Sequence, residues 1–243
     1  MTQASDTAMV MAAGLGKRMR PLSTTRPKPL VKVGGKALID WSLDRLVEAG
    51  IGRAVVNVHY LADALEAHLA QYGRRQPDLA ITVSDERSLL LETGGGMVRA
   101  QAQALLPDPF FCLNSDNIWL DGPRTVFAEL SSAWDPARMD ALLLVVRHPA
   151  AHGHEGKGDF HLDPLGRISR RRPGRVAPFI YTGIQIVAHR LLRDAPEGPF
   201  STNLLWTRAM EEGRLFGWVH TGQWFEVGTP QAIAPTEALL SRG

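Results

Sequence analysis

The sequence predicts an α/β protein with a mostly parallel central sheet and helices on both faces. Three patterns predict it: short apolar runs ending in glycine or polar residues, helically spaced apolar residues between them, and repetition of this strand-then-helix order through the first half. Residues 8–13 form the first apolar run and end at Gly14, as a buried strand entering a loop would. Residues 14–35 mix Gly14, Gly16, Pro21, Pro27 and Pro29 with many cations, which disfavours regular structure and predicts a long functional loop. From Leu38, apolar residues recur at Ile39, Leu43, Leu46 and Val47 on one helical face, and Gly50 offers the stop. Residues 54–58 predict a second strand, and Leu61, Leu65 and Leu69 align as the face of a second helix, completing a βαβ unit. A strand at 80–83, a glycine-started helix from about Met97 and a strand at 110–113 follow. The less regular second half predicts strands at 141–146, 159–162, 179–187 and 215–219, and helices at 204–212 and 231–240. In such a sheet ligands bind beyond the carboxyl ends of the strands, where Gly14, residues 92–96 and residues 114–117 all fall.

With 243 residues, 44% hydrophobic and 21% charged, the chain can bury a sizeable core and shows neither disorder-prone nor collagen-like bias. No repeat, low-complexity tract or linker divides it, so a single domain over residues 1–243 is expected. A net charge of +2 is too small for nucleic-acid binding through bulk electrostatics. The one cysteine, Cys112, cannot form an internal disulfide, and its apolar neighbours predict a buried, inert thiol. Residues 1–6 lack the basic start and apolar stretch of a leader, and no run reaches the roughly 18 apolar residues of a membrane span. A cytoplasmic protein without nucleic-acid or membrane partners is expected.

Most of the chemistry lies in Ala12-Ala13-Gly14-Leu15-Gly16-Lys17-Arg18-Met19-Arg20-Pro21 and the following Arg26-Pro27-Lys28-Pro29-Leu30. Glycines after a strand let backbone N–H groups approach phosphate oxygens, while Arg18 and Lys28 can neutralise a polyphosphate. A nucleoside triphosphate site is the reading, and a loop with solvated cations is the plainer alternative. Two other glycine motifs do not fit. The Walker pattern needs Gly-Lys-Ser/Thr after four intervening residues, and the dinucleotide fingerprint needs glycine where Met19 stands.

This segment resembles the signature loop of sugar-1-phosphate nucleotidyltransferases. Glu92-Thr93-Gly94-Gly95-Gly96 resembles the family's base-recognition loop, Asn114-Ser115-Asp116-Asn117 its metal-binding segment after the fourth strand, and Trp224-Phe225-Glu226-Val227-Gly228-Thr229 its second metal-binding segment. The resemblance spans roughly residues 8–240. It implies a Rossmann-related, glycosyltransferase-A-like nucleotidyltransferase fold, with a nucleotide-binding half at about 8–120 and a sugar-binding half at about 121–243. It also implies magnesium-dependent transfer of a nucleotidyl group from a nucleoside triphosphate to a sugar 1-phosphate, releasing pyrophosphate.

The implied nucleotide site comprises Ala13, Gly14, Gly16, Lys17, Arg18, Lys28, Glu92, Gly94 and Gly95. Arg18, Lys28 and Asp116 are the implied catalytic residues: Arg18 holds the leaving pyrophosphate and Lys28 the phosphates. Asp116 and Glu226 are the implied magnesium ligands, since this hard cation prefers carboxylate, phosphate and water oxygens. A turn or cap aspartate, and a strand-end surface carboxylate, are their plainer alternatives. Glu226 departs from the aspartate usual in the family, and its longer arm alters reach. Asn114, Asp159 and Thr182 are the implied sugar contacts, with strand-end polar residues as the alternative. Glycines 94–96 would pass close to a flat base, or form a helix-starting turn. Because a sugar phosphate is already an ionised nucleophile, no general base is needed.

The short chain, without a long carboxyl-terminal extension, implies a compact, monofunctional member. Residues 92–96 and Gly158-Asp159-Phe160 look most like enzymes that join UTP to N-acetylmuramate 1-phosphate in cell-wall recycling, with GTP and mannose 1-phosphate as the alternative pair. A nucleotide-sugar-binding regulatory subunit without catalysis, motivated by Glu226, is a reading from another class; the retained Arg18, Lys28 and Asp116 weigh against it. A dehydrogenase is disfavoured by Met19.

His148, His152, His154 and His161 share a glycine-rich stretch without tight ligand spacing or cysteine partners, so zinc is not expected. Arg167, Arg170, Arg171, Arg172 and Arg175 flank Pro173 and Gly174 and read as a solvated turn, with a docking surface for an acidic substrate or partner as the minority alternative. Trp41 and Trp206 read as core.

Overall fold

The computed structural model describes residues 3–241; Met1 and Thr2, on which the reading of the amino terminus partly rests, lie outside the described residues with Arg242 and Gly243. The first half runs β1 (Thr7–Met11), β2 (Lys32–Val33), β3 (Lys36–Ala37), α1 (Leu38–Glu48), β4 (Arg53–Val58), α2 (Ala62–Arg75), β5 (Ala80–Asp85), α3 (Glu92–Ala102) and β6 (Phe110–Asn114). Next come β7 (Asn117–Leu120), α4 (Val126–Ala133), β8 (Ala141–Arg147), β9 (Ala151–His152), β10 (Phe160–Leu162), β11 (Ile168–Arg170) and β12 (Phe179–Val187). The chain closes with α5 (Asn203–Glu211), β13 (Leu215–Val219), β14 (Gln223–Glu226) and α6 (Ile233–Leu240).

The main sheet has the order β11-β10-β12-β6-β1-β4-β5, with β8 beside β12 and β13 beside β8. Strands β6, β1, β4 and β5 are parallel, as the βαβ pattern predicts, whereas β12 runs antiparallel to both β6 and β8. The outcome is a mixed sheet whose parallel half carries the loops after β1 and β6.

Burial on both faces explains the continuous apolar runs. Ala8 and Val10 of β1 face one core with Phe111 and Leu113 of β6, while Met9 faces the opposite core with Phe110 and Cys112. α1, α2 and α4 cover the first face, and α3 and α5 the second. Burial pushes the Cys112 thiol up to about 12, so it carries no reactive thiolate at neutral pH. Among the described residues no helix is long and apolar enough to cross a membrane.

Several elements differ from the sequence expectation. The loop at 14–35 contains two short 3-10 turns, Lys17–Met19 and Lys28–Leu30, and the β2/β3 hairpin. Leu61 does not join the buried face of α2; it sits just before the helix at φ 50 with its side chain exposed. The small sheet β7-β14-β9 and helix α4 were not anticipated. α3 begins at Glu92 rather than near Met97, so the three glycines lie inside its first turns. They are buried because the segment around Phe200 presses on them: the Phe200 carbonyl accepts from the Gly94 N–H at 2.9 Å and the Gly95 N–H at 3.3 Å.

This packing is testable. Alanine is the better helix former by about 1 kcal/mol, but a Cβ at Gly95 would lie 2.5 Å from the Gly198 carbonyl oxygen, a backbone atom with little freedom to yield. Gly95→Ala is expected to destabilise the fold by about 1–3 kcal/mol, read as a lower denaturation midpoint with an unchanged slope. An unchanged midpoint would show that segment 198–200 yields freely.

Candidate active site

The site forms where β1 and β6 end. Beyond Met11 the chain turns through Gly16, whose φ of 59 favours glycine and whose absent side chain leaves room for Lys28: a Cβ would stand 2.9 Å from that of Lys28. The Ser23 hydroxyl donates to the Gly16 carbonyl at 2.7 Å, and fully buried Met19 anchors the turn in the core. Lys28 is thereby folded under the glycine loop.

A buried polar bridge fixes this loop to α3. The Asn57 Oδ1 accepts from the Ala12 N–H at 2.6 Å, and the Asn57 amide donates to Glu86 Oε1 at 2.8 Å. The other Glu86 oxygen accepts from the Leu91 N–H at 3.1 Å, just before α3. Glu86 is 0% exposed, so these partners satisfy groups that water cannot reach.

Three cavities meet around Asp116. One, of about 400 Å³, is lined by Ala13, Gly14, Lys28, Asn57, Glu92 and Thr93, with Asn114 and Asp116 at its end. A second, about 220 Å³, holds Asn114, Asp116, Asp159, Thr182 and Glu226. The third, about 310 Å³, lies under Gly14, Gly16, Lys17 and Arg18, again with Lys28 and Asp116. Glu226 reaches this junction because β14 pairs antiparallel with β7, opposing Glu226 to Asn117, the residue after Asp116.

The charges are paired in advance. Lys28 Nζ contacts Asp116 Oδ2, with the lysine side chain only 14% exposed. Glu226 Oε1 lies 3.7 Å from Arg18 Nη1, on a side chain 70% exposed, while Oε2 accepts from His154 Nδ1 at 2.8 Å. Gly228 leaves space for that guanidinium, since a Cβ there would lie 3.2 Å from Arg18 Nη1.

Residues 7–153 match the family model described as "Nucleotidyl transferase". The chain belongs to this family. It is 45% identical to the N-acetylmuramate alpha-1-phosphate uridylyltransferase of Caulobacter vibrioides, covering 99% of both chains. Identity is 35% to the protein of the same name from Neisseria meningitidis serogroup B, over 96% of this chain and 97% of the relative. The inositol-1-phosphate CTP transferase from T. maritima superposes with a TM-score of 0.77 at 19% identity, covering 99% of this chain and 97% of that one, which shows the shared α/β fold.

Within this nucleotidyltransferase, Arg18, Lys28, Asp116 and Glu226 converge, together with Ala13, Gly14, Gly16, Lys17 and Glu92. Gly94 and Gly95 do not line the cavities; their backbone packs against segment 198–200, and Glu92 and Thr93 face the space instead. Asp159 and Thr182 line the second cavity, but Asp159 Oδ2 already accepts from the Tyr181 N–H at 2.9 Å, and the Thr182 hydroxyl proton is committed to the Leu144 carbonyl at 2.9 Å. Sequence reasoning missed Asn57, Glu86 and His154. Asn57 had a signal, being the lone amide in the apolar run Val55-Val56-Asn57-Val58. The Glu226 partner of His154 is distant in sequence, so no local pattern pointed to it.

Asn57→Ala would leave the Ala12 N–H and a Glu86 oxygen buried without partners. A stability loss of about 1–3 kcal/mol is expected, together with a raised KM for the nucleotide. Chemical denaturation and initial rates measure the two; normal values for both would mean the loop holds its shape without this bridge.

Proposed function

We propose that this nucleotidyltransferase transfers a uridylyl group from UTP to N-acetylmuramate 1-phosphate, giving the nucleotide sugar and pyrophosphate. The observation that carries this reading is the position of Asp116 at the junction of three cavities, which the reading assigns to the nucleoside, the triphosphate and the sugar phosphate. Full-length similarity to proteins named for this reaction supports the choice of substrates. Residues 8–120 then supply the nucleotide side and residues 121–243 the sugar side of one catalytic domain, acting in the cytoplasm.

An oxygen of the sugar phosphate forms a bond to the α-phosphorus of UTP, and the bond from that phosphorus to the bridging oxygen breaks, its electron pair leaving with pyrophosphate. Both reactants are anions, so the protein's task is to place and neutralise charge. Lys28, poised under the glycine loop, exchanges its Asp116 contact for phosphate oxygens when substrates arrive. Arg18, exposed and held only loosely by Glu226, is free to follow the departing pyrophosphate. Backbone N–H groups after β1 face the triphosphate.

Asp116 and Glu226 are the residues that would hold magnesium. Among the described residues no three His, Cys, Asp or Glu side chains gather as a complete cage, and two carboxylates on one cavity fit an ion that keeps phosphate and water oxygens in its other positions. When bound, magnesium would screen the repulsion between the two anions and draw charge from the α-phosphate. His154, which lines the same cavity, holds Glu226 Oε2 at 2.8 Å and so keeps the longer arm of this glutamate directed.

Pyrophosphate release, measured across the four nucleoside triphosphates and a panel of sugar 1-phosphates, tests the proposal; a preference for any pair other than UTP and N-acetylmuramate 1-phosphate would overturn it. Asp116→Ala is expected to lower kcat by at least ~100-fold while the protein stays folded, and near-normal turnover at saturating magnesium would remove Asp116 from the mechanism. Glu226→Gln is expected to raise the magnesium concentration needed for half-maximal rate. A magnesium titration with an unchanged midpoint would mean that this carboxylate is not a ligand.

A further inference from the structure

Beside the sugar cavity lies another, of about 390 Å³, to which the transfer reaction itself assigns no role; the two share Asp159 and Tyr181. Its lining combines Arg170, Arg171 and Asn203 with the aromatic Phe160, Tyr181 and Trp206. Tyr181 meets the Trp206 ring edge-on at 4.8 Å, and Phe160 meets it at 6.2 Å. The cavity thus joins cationic donors to a short apolar surface.

Among the described residues neither guanidinium has a carboxylate partner. Arg170 donates to Asn203 Oδ1 at 3.1 Å, the Asn203 carbonyl at 3.0 Å and Thr207 Oγ1 at 3.2 Å, and lies over the Phe160 ring at 5.9 Å. Arg171 donates from Nε to the Gly158 carbonyl at 2.9 Å and from Nη1 to the Arg175 carbonyl at 3.1 Å. A guanidinium has five N–H groups, so Arg171 keeps three unengaged. Its anchor is stiff: Gly158 sits at φ +73, pressed against the Ala177 carbonyl so closely that a Cβ would collide. Two oriented cations face a single acid, Asp159, whose Oδ2 is already engaged by the Tyr181 N–H.

We propose that this cavity binds the carboxylate of a lactyl ether on the acceptor sugar, with Arg171 as its principal partner. The proposal rests on the reading of N-acetylmuramate 1-phosphate as acceptor. That sugar differs from N-acetylglucosamine 1-phosphate only by the lactyl group, a carboxylate on a carbon bearing a methyl. Arg171 offers paired donors to the carboxylate, and the Tyr181 and Trp206 rings offer a surface to the methyl. Arg170, with more of its donors held by α5, sets the local positive potential. The arginine-rich turn is then a specificity device and not merely a solvated loop.

Initial-rate kinetics of the wild type, Arg171→Gln and Arg171→Lys with both sugar phosphates test this. Arg171→Gln is expected to raise KM for N-acetylmuramate 1-phosphate about 10- to 100-fold, the scale of losing hydrogen bonds to a charged group. Its kcat is expected to stay within about threefold and its KM for UTP to hold, with partial recovery in Arg171→Lys. An unchanged KM for N-acetylmuramate 1-phosphate in a wild type that uses this sugar overturns the cavity assignment alone. An equal rise in KM for both sugars, or for UTP, also overturns it, because a merely structural role would act that way. A wild type that ignores N-acetylmuramate 1-phosphate while turning over another sugar 1-phosphate overturns the proposed function, and this inference with it.

Discussion

The buried bridge from Ala12 through Asn57 and Glu86 to Leu91 is the constraint on which the rest of the site depends. It joins the exit of β1 to the entrance of α3 across β4 and β5. A carboxyl group with no solvent exposure is costly unless its oxygens are engaged, and here both are. The network therefore has one good arrangement, and that arrangement sets the width of the cavity between the glycine loop and Glu92. Donors held in place before the substrate arrives need no reorganisation during the reaction, which is how such sites lower a barrier made of charge.

A second constraint comes from the small sheet. Asp116 belongs to the turn after β6, in the half of the fold built on parallel pairing, whereas Glu226 ends β14 near the carboxyl terminus. Antiparallel pairing of β7 with β14 brings them together, and parallel pairing of β14 with β9 stacks Phe225 on His152 with ring centroids 4.9 Å apart. The loop just beyond β9 carries His154, whose Nδ1 lies 2.8 Å from Glu226 Oε2. Each acid thus has a basic partner in the resting protein, Lys28 for Asp116 and Arg18 with His154 for Glu226. In the proposed mechanism polyphosphate displaces the acids from Lys28 and Arg18, because its charge density exceeds that of either carboxylate.

The bulge in β12 shows how the sheet shapes the cavity proposed for the sugar phosphate. Pairing with β8 loses register between Tyr181 and Gln185, and Gly183 takes φ +83 within that interval. A side chain at Gly183 would strike the amides of Asn114 and Asn117, so the bulge lets β12 pass close to the end of β6. Asn114, Asp159 and Thr182 come to line one cavity as a result, although three different strands carry or flank them.

Local patterns determined much of this protein. Continuous apolar runs marked β1, β4, β6 and β8 because strands buried on both faces need no polar side, and the glycine-and-cation loop singled out Arg18 and Lys28 because glycines and cations stand there in one contiguous segment. The place of Asp116 at the edge of the sheet was legible too, since it follows an apolar strand. Tertiary structure alone decided what depends on contacts between distant segments. Whether Gly94 and Gly95 meet a base or the Phe200 segment turns on where residues 198–200 lie, and nothing within residues 92–96 encodes that. The antiparallel entry of β12, the pairing of β7 with β14 and the bracing of Glu226 by His154 are likewise set by packing. Each joins segments whose own sequences permit several partners, and only the shared core selects one.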